Sequence, residues 1–120
     1  MTDKLTEQSL QTSAGITRAY ADLSNDFNPL HLNPAFAAGT PFGAPIAHGA
    51  MALDLLLNAV EASFGPDHAA EIDIRFTAPV KVGERITAGG EASDNGYDVW
   101  VRKDDGTVVL SGVLTLDRAP

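Results

Sequence analysis

The sequence has 120 residues, an apolar share of 44%, no cysteine and a formal net charge of −8, with a pI of about 4.5. A chain of this length predicts a single domain over 1–120, small enough to gain from self-association. The acidic balance excludes a phosphate-backbone partner and an anionic membrane surface, and the absence of cysteine excludes disulfides, a thiolate nucleophile and Cys-type zinc sites.

Taken in order, Met1-Thr2-Asp3-Lys4 is polar and no apolar stretch follows it, so no signal peptide is expected. Residues 4–12 fit a short edge strand or an arm. Ser13 is placed to cap a helix from Ala14 to Leu23, with Ile16, Ala19, Tyr20 and Leu23 as its apolar face. That helix should stop near Asn25. Asn33-Pro34 reads as a second helix start, with Asn33 at the cap and Pro34 at the first position, running to Ala38. The Gly- and Pro-rich stretch 39–45 is a loop.

His48-Gly49 opens the longest helix, to about Ser63. Met51, Ala52, Leu55, Leu56, Ala59, Val60 and Ala62 make it apolar round most of its circumference, which predicts a buried helix. Asp54, Asn58 and Glu61 form a narrow solvated stripe. The run Met51–Val60 is interrupted by Asp54 and Asn58 and is too short to cross a bilayer, so a cytoplasmic protein is expected. Gly65-Pro66-Asp67 should end the helix.

The period then changes to two. Ile72, Ile74 and Phe76 alternate with polar residues; further strands are predicted over 84–91, 97–102 and 107–116. Pro79 and Gly83 bracket the first turn, Asn95-Gly96 is a hairpin signal, and Asp104-Asp105-Gly106 makes the next turn. Gly112 inside the last strand predicts a bulge or a close backbone approach. These residues predict an α+β fold in which four successive antiparallel strands curve around the one long apolar helix.

One segment carries chemistry. Asp26 and His31 lie five residues apart with Asn28-Pro29 between them. Proline fixes its own φ and pushes Asn28 out of the α region, so the pair is not a helical i,i+4 pair. A carboxylate and an imidazole aimed into one pocket can take a proton from water and return one elsewhere. A plainer reading also fits: Asp26 ends a helix, Asn28-Pro29 starts a turn, and His31 bonds to backbone. The three histidines, at 31, 48 and 68, show no H-E-x-x-H spacing, and no metal site is predicted.

The stretch Leu23-Ser24-Asn25-Asp26-Phe27-Asn28-Pro29-Leu30-His31-Leu32-Asn33-Pro34-Ala35-Phe36-Ala37 resembles the hydratase-2 motif of MaoC-like proteins. The likeness continues through Phe42-Gly43-Ala44-Pro45-Ile46-Ala47-His48-Gly49 and Phe76-Thr77-Ala78-Pro79-Val80-Lys81-Val82-Gly83-Glu84, and covers about residues 14–116. The resemblance implies a hot-dog fold and a homodimer with two sheets joined edge to edge. It also implies (R)-specific hydration of a trans-2-enoyl thioester, with no cofactor beyond the CoA or carrier-protein thioester itself. Asp26 and His31 match the pair that activates water in that family. Gly49, at the start of the long helix, is the expected oxyanion donor, with simple packing under the Pro45 loop as the alternative, and Asn28 is expected to orient the segment or the water, or to form a purely structural Asx turn. Tyr20 and Phe42 fit either the acyl pocket or the core, and His48 fits a packing role at the helix start.

The sequence departs from the family in three places. Asn25 stands where glycine is common, Leu55-Leu56-Leu57 stands where some members carry serine, and the N-terminal arm is short. No basic cluster marks a CoA phosphate site; Arg75, Lys81, Arg85, Arg102 and Lys103 are the candidates. Two other functions compete. A hot-dog thioesterase would use a carboxylate on the long helix, here Asp54, and an exposed Asp54 would count against it. A non-catalytic acyl-binding subunit would be expected to have lost the Asp/His pair.

Overall fold

The computed structural model describes residues 3–65, 69–94 and 96–117. Pro66 and Asp67 of the expected helix end, His68, and Asn95 of the expected hairpin lie outside the described residues. The described residues form five strands and four helices in the order β1 (Gln8–Gln11), α1 (Ala14–Ser24), α2 (Pro29–Leu32), α3 (Pro34–Ala38), α4 (Gly49–Phe64), β2 (Ala69–Phe76), β3 (Arg85–Ser93), β4 (Gly96–Lys103) and β5 (Val108–Asp117).

The helix boundaries follow from local chemistry. Ser13 caps α1, its hydroxyl accepting the Ile16 N–H at 3.1 Å. Asn33 caps α3 in the same way, accepting from Phe36 N–H at 3.1 Å, with Pro34 at the first position. Asn25 ends α1 in the left-handed region at φ 58. Asparagine tolerates that conformation better than most side chains, which explains how it stands in for glycine there.

The face of α1 differs from expectation. Thr17 and Ala21 are the buried residues, while Ile16 is 36% and Leu23 84% exposed. Thr17 can go inward because its hydroxyl donates to the Ser13 carbonyl at 2.8 Å, leaving only its methyl to pack.

The sheet is antiparallel in the order β1-β3-β4-β5-β2. The simple four-strand meander is therefore corrected at β2, whereas the short edge strand expected within residues 4–12 is present as β1. β2 pairs with β5 at one edge, Ile74 opposite Gly112, and β1 takes the other edge beside β3, Leu10 opposite Ile86. The span 77–84 carries the chain from the β2 edge across the fold to β3, which lies inside the sheet next to β1. Thr77 and Ala78 anchor its start, both N–H groups donating to the Val109 carbonyl. The irregularity in β5 falls opposite Val101/Arg102 and not at Gly112. Gly112 instead meets the second expectation, a close approach. A Cβ there would run into the Asp73 carbonyl and the Ile74 backbone.

Helix α4 crosses β1, β3, β4 and β5. Its Met51, Ala52, Leu55, Leu56, Ala59 and Val60 are buried against Ile86, Ala88, Val99, Val101, Leu110 and Leu114. Each of the larger side chains contributes about 1.5–3 kcal/mol by leaving water. Asp54, Asn58 and Glu61 are exposed, as the stripe predicted. Among the described residues no helix is long and apolar enough to cross a membrane.

Two glycine substitutions test this packing. Gly112→Ala should lower stability by about 1–3 kcal/mol or more, the cost of overpacking, read from the denaturant midpoint. Gly15→Ala, exposed in α1 with only the Ser13 hydroxyl within 4 Å of its Cβ, should be neutral or stabilise by up to about 1 kcal/mol.

Candidate active site

The left-handed Asn25 turns the chain out of α1 and into Asp26. Asp26 Oδ1 accepts the Asn28 N–H at 3.2 Å. Asn28 Oδ1 in turn accepts the Leu30 N–H at 3.0 Å and caps α2, with Pro29 next in line. Two successive Asx contacts thus stiffen the segment, and Asn28 holds its shape through its side-chain oxygen. His31 sits on α2, a single helical turn, where the proline spacing predicted irregular backbone.

Residues 45–47 form a strap that brings the second half of the site to the first. Val82 N–H donates to the Pro45 carbonyl at 2.9 Å, Ala47 N–H to Val80 at 2.7 Å, and Ile46 N–H to Leu30 at 3.2 Å. The strap delivers His48 and Gly49 to the start of α4. His31 Nδ1 lies 2.7 Å from the Ile46 carbonyl. A carbonyl only accepts, so Nδ1 carries a proton, and in the neutral ring Nε2 presents a lone pair. That lone pair faces Asp26 Oδ2 at 3.6 Å.

His48 belongs to the same cluster, which the packing role expected for it does not cover. It is 4% exposed, and its ring stacks on His31 with centroids 3.9 Å apart. Its Nε2 is 2.9 Å from the Asp26 carbonyl and 3.9 Å from Asp26 Oδ2. The donor atoms of Asp26, His31 and His48 all lie within 4.8 Å of one another, a grouping a metal ion could also use. His48 Nε2 lies closer to the Asp26 carbonyl, which can accept its proton, than to the Asp26 carboxylate.

A cavity of about 360 Å³ opens beside these groups, walled by Phe42, Met51, Ala52, Phe76, Val80, Ile86 and Val109, with His31, His48 and Gly49 at its polar side. Phe42 therefore lines the cavity, while the Tyr20 hydroxyl points elsewhere, donating to Asp54 Oδ2 at 2.8 Å. Burial, and then the Asp54 carboxylate, push the Tyr20 phenol up to about 12. Gly49 is the first residue of α4, so its N–H has no partner within the helix. Among the basic candidates, Lys103 pairs with Glu84 at 3.0 Å and Arg102 lies over the Trp100 ring at 3.4 Å, whereas Lys81 follows Val80 of the cavity wall.

An antiparallel sheet backed by one buried helix defines a hot-dog protein. The chain belongs to the MaoC-like domain family, whose model matches residues 2–115. It is 44% identical over 78 residues to an (R)-specific enoyl-CoA hydratase of Aeromonas caviae, across 62% of this chain and 58% of that one. It is 35% identical over 85 residues to a 3-hydroxyacyl-thioester dehydratase X of Mycobacterium tuberculosis, across 71% of this chain and 30% of the relative. The chain thus spans about half or less of the length of several curated relatives. The solved structure of an (R)-hydratase of A. caviae involved in PHA biosynthesis superposes with a TM-score of 0.81 at 31% identity, covering 98% of both chains. An R-hydratase of Pseudomonas aeruginosa shares the fold, with a TM-score of 0.80 at 24% identity over all of this chain and 88% of that one.

Asp54 is exposed and does not line the cavity, and its carboxylate accepts the Tyr20 hydroxyl. Asp54→Asn should leave turnover of enoyl thioesters within about twofold, as for a surface substitution away from the chemistry. A loss above tenfold would return Asp54 to the site.

Proposed function

We propose that this chain catalyses (R)-specific hydration of trans-2-enoyl-CoA to (R)-3-hydroxyacyl-CoA, or the reverse dehydration. One observation carries the reading: two acceptors, Asp26 Oδ2 and His31 Nε2, face each other 3.6 Å apart, and His31 also lines an apolar cavity. Two acceptors match the two hydrogens of one water molecule. Water held this way has its oxygen lone pair free and aimed, so orientation and proton removal come from the same contacts.

In the forward direction the water oxygen attacks C3 of the enoyl thioester. One member of the pair takes the proton that the water loses, and the C2–C3 π electrons move onto the thioester as an enolate. The Gly49 N–H, with the positive end of α4 behind it, stabilises that oxygen. Collapse of the enolate returns a proton from the pair to C2. The net addition is OH to C3 and H to C2, and Asp26 and His31 end as they began. Asn28 keeps the pair aligned through the α2 cap. No cofactor enters any step.

The names of the relatives support a thioester carried by CoA, with carrier-protein thioesters as the alternative. We propose that 1–120 acts as a single domain and as a cytoplasmic homodimer. Open sheet edges at β1 and β2 support pairing of two sheets. The thioesterase reading is disfavoured by the placement of Asp54, and the non-catalytic reading by the intact pair.

Loss of the enoyl-thioester absorbance with crotonyl-CoA tests the chemistry. Asp26→Asn and His31→Ala should each lower kcat by about 10²–10⁴-fold, the usual worth of a positioned acid or base. Release of free CoA without loss of the enoyl band would replace hydration by hydrolysis.

Gly49→Pro isolates the oxyanion donor. Proline suits the first helical position, and His48 at φ −61, ψ 132 already has the extended conformation that a following proline requires. The variant should fold and lose about 10²–10³-fold in kcat, the cost of one oxyanion donor. Unchanged kcat in a folded Gly49→Pro protein would remove Gly49 from that role.

A further inference from the structure

We infer that His48 is a positioning residue that holds Asp26 and His31 in register through a neutral, Nε2-protonated imidazole. The inference rests on the proposed role of the Asp26/His31 pair and adds a third group to it.

His48 has two ring neighbours. The His31 ring lies on it at 3.9 Å with a 26° tilt, and the Tyr20 ring lies 5.0 Å away at 44°. Its two nitrogens have unlike surroundings. Nε2 is 2.9 Å from the Asp26 carbonyl, which accepts only, so Nε2 bears a hydrogen. Nδ1 is buried and has no hydrogen-bond partner among the described residues. A second proton there would leave a buried donor unmatched and stack a cation on the His31 ring. The neutral tautomer avoids both. A buried polar atom without a partner calls for an explanation, and here the ring's position answers a demand on its other side.

That demand is the placement of Asp26. Its side chain is 50% exposed, so packing does not hold it. Three contacts do: the left-handed turn at Asn25, the Asn28 N–H on Oδ1, and the His48 N–H on the carbonyl. The last is the only one of these that comes from outside the segment 25–31, and it ties the Asp26 backbone, from which the carboxylate projects, to the residue that caps α4, the helix that begins with Gly49. One imidazole thus links the water-holding pair to the oxyanion donor. Its ring is also the surface on which His31 rests, so His31 Nε2 cannot tilt away from Asp26 Oδ2 on that side.

Two experiments test this. Nitrogen-15 NMR of the unaltered protein should report His48 as neutral with the proton on Nε2, and His31 as neutral with the proton on Nδ1. Finding His48 protonated on Nδ1 alone or on both nitrogens overturns the inference, and this arm needs no variant to fold. The second compares His48→Gln with His48→Asn. Both lose the stacked ring, but the glutamine amide reaches the place of Nε2 and the asparagine amide does not. In proteins matched by thermal melting, His48→Asn should lose about 10–100-fold more kcat than His48→Gln, with KM within about threefold, since misplacement of about 1 Å at a reacting centre has that scale of effect. Equal kcat values, or a loss confined to KM, overturn it. If Asp26→Asn keeps the activity of the unaltered protein, the water-holding pair itself is wrong. If Asp26→Asn abolishes activity while His48→Asn does not, only the role of His48 falls.

Discussion

The site depends on the backbone of one residue, Ile46. Its N–H donates to the Leu30 carbonyl and its own carbonyl receives the His31 Nδ1 proton. α2 has only four residues, far fewer than a helix needs to hold itself together in water. Its shape comes instead from the Asn28 cap on one side and Ile46 on the other. The Ile46 carbonyl also selects the tautomer of His31, and with it the atom that faces Asp26. Because Ile46 is bridged to Lys81, the sheet-crossing span 77–84 backs the same point. Movement of that span would be felt directly at the imidazole.

Around this point the environment divides in two. The cavity wall is apolar and belongs to the core layer: Met51 and Ala52 of α4, Ile86 of β3, Val109 of β5. Asp26, by contrast, stays half exposed, its side chain open to water. An apolar acyl chain and a polar thioester have opposite needs, and the two sides of the cavity offer them separately. The start of α4 stands at the boundary, where its free N–H groups supply positive potential without a cation. That suits a chain with a net charge of −8 and only eight basic residues.

Much of this is legible in the sequence, and the failures have physical causes. Ser13, Asn33 and Pro34 mark helix starts because capping is local chemistry, and the structure shows those contacts. The buried face of α4 is legible because it is broad and apolar. The face of α1 is not: a buried threonine satisfies its hydroxyl within its own helix, so polarity misleads at Thr17. The sheet order is hidden because the choice of β2's neighbour rests on how an eight-residue span crosses the fold, a long-range matter that alternation does not encode. Of the site, Asp26, His31 and Gly49 are visible as a pattern. His48 is not, since its contacts with residues 26 and 31 exist only after the strap 45–47 has been tied to Leu30 and Val80.

The same contrast separates two kinds of glycine. At Gly112 the chain itself forbids a side chain, because the paired backbone of Asp73 and Ile74 fills the space. At Gly49 it does not. The backbone is helical, a Cβ would meet only the Phe76 ring at an ordinary 3.8 Å, and alanine is a better helix former. Nothing in the fold requires glycine at the head of α4. Gly49 lines the cavity, so its lack of a side chain leaves room there. A thioester oxygen that must reach the Gly49 N–H would use that room, and the bare backbone gives it a clear approach. Packing therefore explains the glycine in β5, and the proposed chemistry explains the one in α4.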